Sequence, residues 1–155
     1  MSCQFEHHYV VVNATNQPVT VEYHFRAIPD GEHVNRYGVL VPKYDFHEPK
    51  LKRLSEIGKD SPAWQATLER RTIRDDAKGE LRITLLPGEA LQVFSDDGLA
   101  AYEYEQAPGR RSKYPIFPIA DLTISGNKGQ VVYKDDLVFK QFSRSESFVY
   151  QLRYE

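Results

Sequence analysis

The stretch PVTVEYHFR, Pro18 to Arg26, decides the fold class. Val19, Val21, Tyr23 and Phe25 fall on one side of an extended chain, and Thr20, Glu22, His24 and Arg26 on the other. Apolar residues recurring every second position describe a strand with one face in a core and one in water. The residues before it, HYVVVNAT, are β-branched and aromatic, and NATNQP between the two runs is rich in turn formers. Residues 8–26 therefore read as a β-hairpin.

The same two-residue rhythm returns along the chain. ELRITLLPGEALQVFSDDG gives strands at roughly 80–86 and 90–95, punctuated by Pro87-Gly88. DLTISGNKGQVVYK reads as a hairpin that turns at Gly126-Asn127-Lys128-Gly129, and DLVFKQFSRSESFVYQLRY as a last hairpin turning at the polar SRSE. In that final strand Phe148, Tyr150 and Leu152 alternate with Val149, Gln151 and Arg153.

Two stretches break the pattern. In HEPKLKRLSEIGKD, Pro49 suits a first helical position, Leu51, Leu54 and Ile57 are spaced three apart, and Gly58 is placed to stop the turn, so a short helix is expected over 49–57. SPAWQATLERRTIRDDAKGELRI supports two readings. Ser61-Pro62 can cap a helix with Trp64 and Leu68 stacked, or Trp64, Ala66 and Leu68 can alternate in a strand that turns at RDDAKG, and the hairpin is the preferred one. Many short strands with one small helix specify an all-β, antiparallel β-sandwich, Ig-like in the loose sense, with a β-barrel as the alternative. No βαβ rhythm is present, so a parallel sheet is not expected.

At 155 residues, 41% hydrophobic and 27% charged, the chain has the composition of one globular domain, read as 8–155 behind a short N-terminal tether, 1–7. Ten tyrosines and eight phenylalanines suit a pleated core. A net charge of −2 argues against a nucleic-acid binder driven by bulk electrostatics. No apolar run approaches the ~20 residues that span a bilayer, and the two residues ahead of Cys3 are too few for a secretory signal.

Cys3 is the single cysteine, so no internal disulfide forms. Ser2-Cys3 resembles the end of the small-residue box of bacterial lipoproteins, whose cysteine is acylated and opens the mature chain. The resemblance covers those two residues and the β-sandwich pattern behind them. It implies a lipid anchor on Cys3 and a place in the cell envelope, periplasmic or surface. Without it, an exposed terminal thiol is a chemical liability.

The chemistry-bearing residues are few. In the expected first hairpin His24 lies opposite Tyr9, with His7 diagonal to it. Two imidazoles there have no evident third ligand, so solvated histidines and no metal are expected; His8 lies beside them, and His33 and His47 sit in loop-like stretches. Glu103 and Glu105 in AYEYEQ share a strand face at ~6–7 Å, a spacing that glycoside hydrolysis uses, although such pairs normally converge across a cleft and an acidic edge strand is the plainer account. There is no G-x-S-x-G elbow. ISGNKGQ joins two strands, whereas a phosphate loop leads into a helix. Asn13-Ala14-Thr15 matches a glycosylation sequon, a pattern with a high chance rate.

The most promising surface is YEYEQAPGRRSKYPIFP. Aromatic and basic residues alternate around Pro108-Gly109, and Arg110, Arg111, Tyr114 and Phe117 are the candidate binding residues of a loop over 106–118; Phe117 and its flanking prolines also suit a cover over one end of the core. The expectation is a non-enzymatic binding or structural module with no cofactor and a protein or glycan partner. The alternatives are a cytoplasmic interaction or inhibitor protein of the immunity type, and a carbohydrate-active enzyme using Glu103 and Glu105.

Overall fold

A computed structural model describes residues 6–27, 37–39, 43–44, 46–56, 65–66, 71–97, 117–146 and 149–155. Its strands are β1 (Glu6–Asn13), β2 (Val19–Phe25), β3 (Lys50–Arg53), β4 (Gln65–Ala66), β5 (Thr72–Asp75), β6 (Glu80–Leu85), β7 (Glu89–Asp97), β8 (Ile119–Gly126), β9 (Gly129–Lys134), β10 (Ser143–Glu146) and β11 (Val149–Tyr154). One short helix, α1 (Asp136–Lys140), joins β9 to β10, and a 3₁₀ turn, Leu54–Glu56, follows β3. Two sheets pack face to face as a β-sandwich and do not close into a barrel. The six-stranded sheet A has the order β10-β11-β1-β7-β3-β4, and the five-stranded sheet B the order β5-β6-β2-β8-β9.

The alternation in β2 works as the sequence implies. Val19, Val21, Tyr23 and Phe25 are buried between the sheets, and Thr20, Glu22 and His24 lie half-buried on the outer face. The hairpin with β1 does not form, because β1 belongs to sheet A and β2 to sheet B. Tyr9, Val10, Val11 and Val12 are all fully buried. Tyr9 and Val11 face the main core, while Val10 and Val12 join Ala90, Val149 and Leu54 on the other side of the sheet. A run apolar on both faces calls for a central strand covered on both sides, so the chain crosses between layers after Asn13 instead of folding back.

Leu54 also explains why the helix expected over 49–57 is absent from the described residues of that stretch, 49–56. β3 pairs with β7, Leu51 opposite Leu91, and Leu54 closes the small second cluster from the 3₁₀ turn. The three-residue leucine spacing is met by a strand running into a tight turn. The last segment departs as well. The run expected to be a strand, DLVFK, is α1, and SRSE is β10 itself, paired antiparallel with β11. Of the ambiguous stretch before β6, the turn at RDDAKG stands where expected and β5 pairs with β6, but β4 lies in the other sheet. Gly79 ends that turn at φ +67°, and a Cβ there would fall 2.5 Å from the Tyr44 ring. β8 and β9 form the expected hairpin, with Gly126 opposite Gly129.

One pairing runs against the antiparallel pattern: β1 lies parallel to β11, from His8 opposite Val149 to Asn13 opposite Tyr154. Between the sheets, the Tyr9 ring lies 5.0 Å from Tyr150, 5.1 Å from Phe117, 5.7 Å from Phe94 and 5.8 Å from Phe142. This aromatic cluster fixes the end of the sandwich at which β1 begins.

Candidate functional site

The outer face of sheet B carries the densest group of chemistry-bearing side chains among the described residues. Strand register sets it out in rows. Glu80, His24, Asp121 and Lys134 lie side by side on β6, β2, β8 and β9. In the next row Arg82, Glu22, Thr123 and Val132 do the same. Each side chain points outward because its neighbours along the strand, such as Leu81, Ile83, Tyr23 and Leu122, fill the core.

His24 is held from both sides. Its Nδ1 is 2.5 Å from Asp121 Oδ1 and its Nε2 3.1 Å from Glu80 Oε2. Burial alone would lower its pKa, but the hydrogen bonds and negative charge of Asp121 and Glu80 outweigh that and raise it above the usual histidine value. Arg82 lies next to this pair. Its Nη2 is 3.0 Å from Glu22 Oε2 and 3.5 Å from Glu80 Oε1. Glu22, His24 and Glu80 each offer one ligand atom, and these atoms lie within 4.8 Å of one another. The set therefore contains one imidazole, three carboxylates and one guanidinium on a rigid, half-exposed platform.

His7, expected beside His24, lies in the other sheet, since β1 and β2 do not pair. Burial, the charge of Arg144 and the neighbouring His8 lower its pKa. His8 Nδ1 meets Gln92 Oε1 on β7, and the His47 ring lies 4.7 Å from Phe94. Asn13 is fully buried: Nδ2 donates to Gln17 O at 2.8 Å and Leu85 O at 3.0 Å, and Oδ1 accepts from Thr15 N and Oγ1. The sequon is structural, with the carboxamide tying the crossover from β1 to β2.

The other candidates fall in two groups. Cys3, Arg110, Arg111 and Tyr114 lie outside the described residues, as do His33, Glu103 and Glu105. Phe117 is described and is buried, packed on Tyr9, Phe94, Phe139 and Phe142. Its ring fills the core and is not offered to a partner, which corrects its expected role as a contact residue. Its carbonyl accepts from Arg26 Nε at 2.8 Å, and Arg26 N donates to Pro118 O at 2.8 Å, so the chain is pinned where β8 begins.

A concave feature lies at the end of the sandwich opposite the start of β1. An open groove of about 380 Å³ runs between β9 and β11, lined by Ile124, Val131, Tyr133, Leu152 and Tyr154 with Lys128 at its rim. Its lining carboxylate, Glu155, is paired with Arg153.

No family model matches the chain, and neither a curated protein nor a solved structure is significantly similar to it. Among the described residues no helix is long and apolar enough to cross a membrane.

Proposed function

We propose that this protein is a non-enzymatic binding or structural module of a bacterial cell envelope, held at a membrane by an acylated Cys3. It meets a protein or glycan partner through the segment 106–118, with Arg110, Arg111 and Tyr114 as contact residues. The observation that carries this reading is the position of Asp97 and Phe117, the two described residues on either side of 98–116. Glu6 at the start of β1 is paired with Asp97 at the end of β7, and Phe117 packs on Tyr9. The chain between Asp97 and Phe117 thus leaves and rejoins the sandwich at the end where β1 begins, three residues after Cys3 in sequence. An anchor joined to the start of β1 and a contact segment joined to the same end through Asp97 and Phe117 would confine the encounter to the membrane surface. Acyl chains contribute ~0.8 kcal/mol per buried CH₂, so a multiply acylated cysteine holds the domain firmly there.

The test uses cells that express the gene with its own upstream sequence. With alkyne-palmitate labelling and Triton X-114 partitioning, the protein is expected in the detergent phase and labelled, and Cys3→Ala in the aqueous phase without label. An unlabelled, aqueous wild-type protein overturns the tether. Cross-linking in intact envelopes then tests the contact segment: Arg110→Ala/Arg111→Ala/Tyr114→Ala keeps the melting temperature and loses the wild-type adducts.

A further inference from the structure

We propose that Glu22, His24 and Glu80 form a binding site for a borderline divalent transition ion such as Zn²⁺, with Asp121 as the positioning residue that holds the imidazole. The proposal is independent of the membrane tether. It revises the expectation, drawn from the sequence, that the histidines serve no metal.

Geometry carries it first. The three donor atoms already lie within 4.8 Å of one another. A tetrahedral zinc with ligands at ~2.0–2.2 Å sets its donors roughly 3.5 Å apart, so small side-chain rotations close the site. Glu22 and His24 are two residues apart on the outer face of β2, and Glu80 stands opposite His24 on β6. The backbone positions are therefore fixed by a paired sheet whose inner face is fully buried.

The outer contacts of His24 have the second property a metal ligand needs. Asp121 faces Nδ1 at 2.5 Å, which leaves Nε2 directed toward Glu80. A carboxylate on one ring nitrogen fixes the tautomer and turns the other nitrogen toward the ion.

The third observation is the cation already present. The Arg82 guanidinium lies 3.0 Å from Glu22 and 3.5 Å from Glu80, occupying the place between the two carboxylates where an ion belongs. The Arg82 side chain is 48% exposed, so it has room to swing into solvent when an ion replaces it. One imidazole nitrogen with two carboxylate oxygens selects zinc-like ions over Mg²⁺ and Ca²⁺, which take oxygen ligands. A fourth position is left for water.

The experiment is isothermal titration of ZnCl₂ into chelator-stripped full-length protein in a Cys3→Ser background, with MgCl₂ as control and circular dichroism monitoring the fold. One Zn²⁺ per chain is expected, with a rise in melting temperature that Mg²⁺ does not produce. Glu22→Gln, which keeps volume and hydrogen bonding, weakens binding at least 10-fold. Arg82→Gln tightens it, since the competing cation is gone. Asp121→Asn weakens it 10–100-fold at unchanged stoichiometry and alters the Co²⁺ absorption spectrum, a change that a purely structural role would not cause. Absence of a 1:1 heat with Zn²⁺, or binding that persists unchanged in Glu22→Gln/His24→Ala, overturns the site. Because His24→Ala removes a central side chain, Glu22→Gln and Arg82→Gln decide the matter alone if that variant does not fold.

Discussion

Asn13 is a small polar residue with unusually many dependants. Its carboxamide makes four hydrogen bonds within the β1–β2 crossover and to Leu85. Leaving buried partners unsatisfied costs about 1–3 kcal/mol per group. Asn13→Ala is therefore expected to lower stability by about 2–3 kcal/mol, read as a lower urea midpoint at unchanged slope. His7 supplies a second test, in which sign matters. Burial and the Arg144 charge depress its folded pKa below the unfolded 6.5. As pH falls, the unfolded chain takes up a proton that the folded one resists, so the stability present above about 6.5 is lost through the depressed folded pKa. The urea midpoint of the wild type minus that of His7→Phe should accordingly fall on going from pH 7.5 to pH 5, whichever protein is the more stable at pH 7.5. Part of this chemistry was legible in the residues themselves: alternation alone put Glu22 and His24 on one outward face. Their partners were not. Asp121 is 97 positions from His24 and Glu80 is 56 away, and no local pattern encodes which strand lies beside which.

At the level of elements, legibility followed how local the deciding interaction is. The hairpin of β8 and β9 was readable because its turn, Gly126 to Gly129, and its two-residue period lie within one short stretch. The first hairpin was not, because what separates β1 from β2 is a buried second face. Val10 and Val12 share a cluster on that face with Ala90 and Val149 of the flanking strands and with Leu54, residues distant in sequence. The same cluster converted a leucine stripe that scans as helical into β3 and a 3₁₀ turn. The β8–β9 hairpin allows a test of the alternation itself. Ile124 is 1% exposed, whereas Val132, on edge strand β9, is 49% exposed. Truncating a fully buried isoleucine costs about 2–5 kcal/mol, and a surface change away from special features stays within about 0.5. Ile124→Ala should therefore lower the urea midpoint sharply and Val132→Ala hardly at all. Equal losses would mean that the register places the wrong face inward.

The whole molecule is closed by one contact between its ends. β11 lies between β10 and β1, parallel to β1, so the last strand of the chain completes the sheet that the first strand enters. Parallel pairing also sets Glu6 and Glu155 at opposite ends of the sandwich, which directs a C-terminal fusion away from the end carrying the proposed tether. The sequence offered no βαβ unit from which to foresee this, because strands so far apart in the chain pair in parallel without a local crossover. The consequence is that the last seven residues are structural. Val149, Leu152 and Tyr154 are all buried, and the Tyr154 hydroxyl donates to Gly129 O at 2.7 Å, linking sheet A to the β8–β9 turn. Losing three such side chains costs about 2–5 kcal/mol each, and the six paired positions along β1 lose their partners as well. That total reaches the about 5–15 kcal/mol by which a domain is stable. A chain ending at Phe148 is thus expected to show no cooperative thermal transition and no near-ultraviolet dichroism from its tyrosines. A sharp, native-like melt from that truncated chain would show that β1 does not depend on β11, and that the sandwich is closed elsewhere.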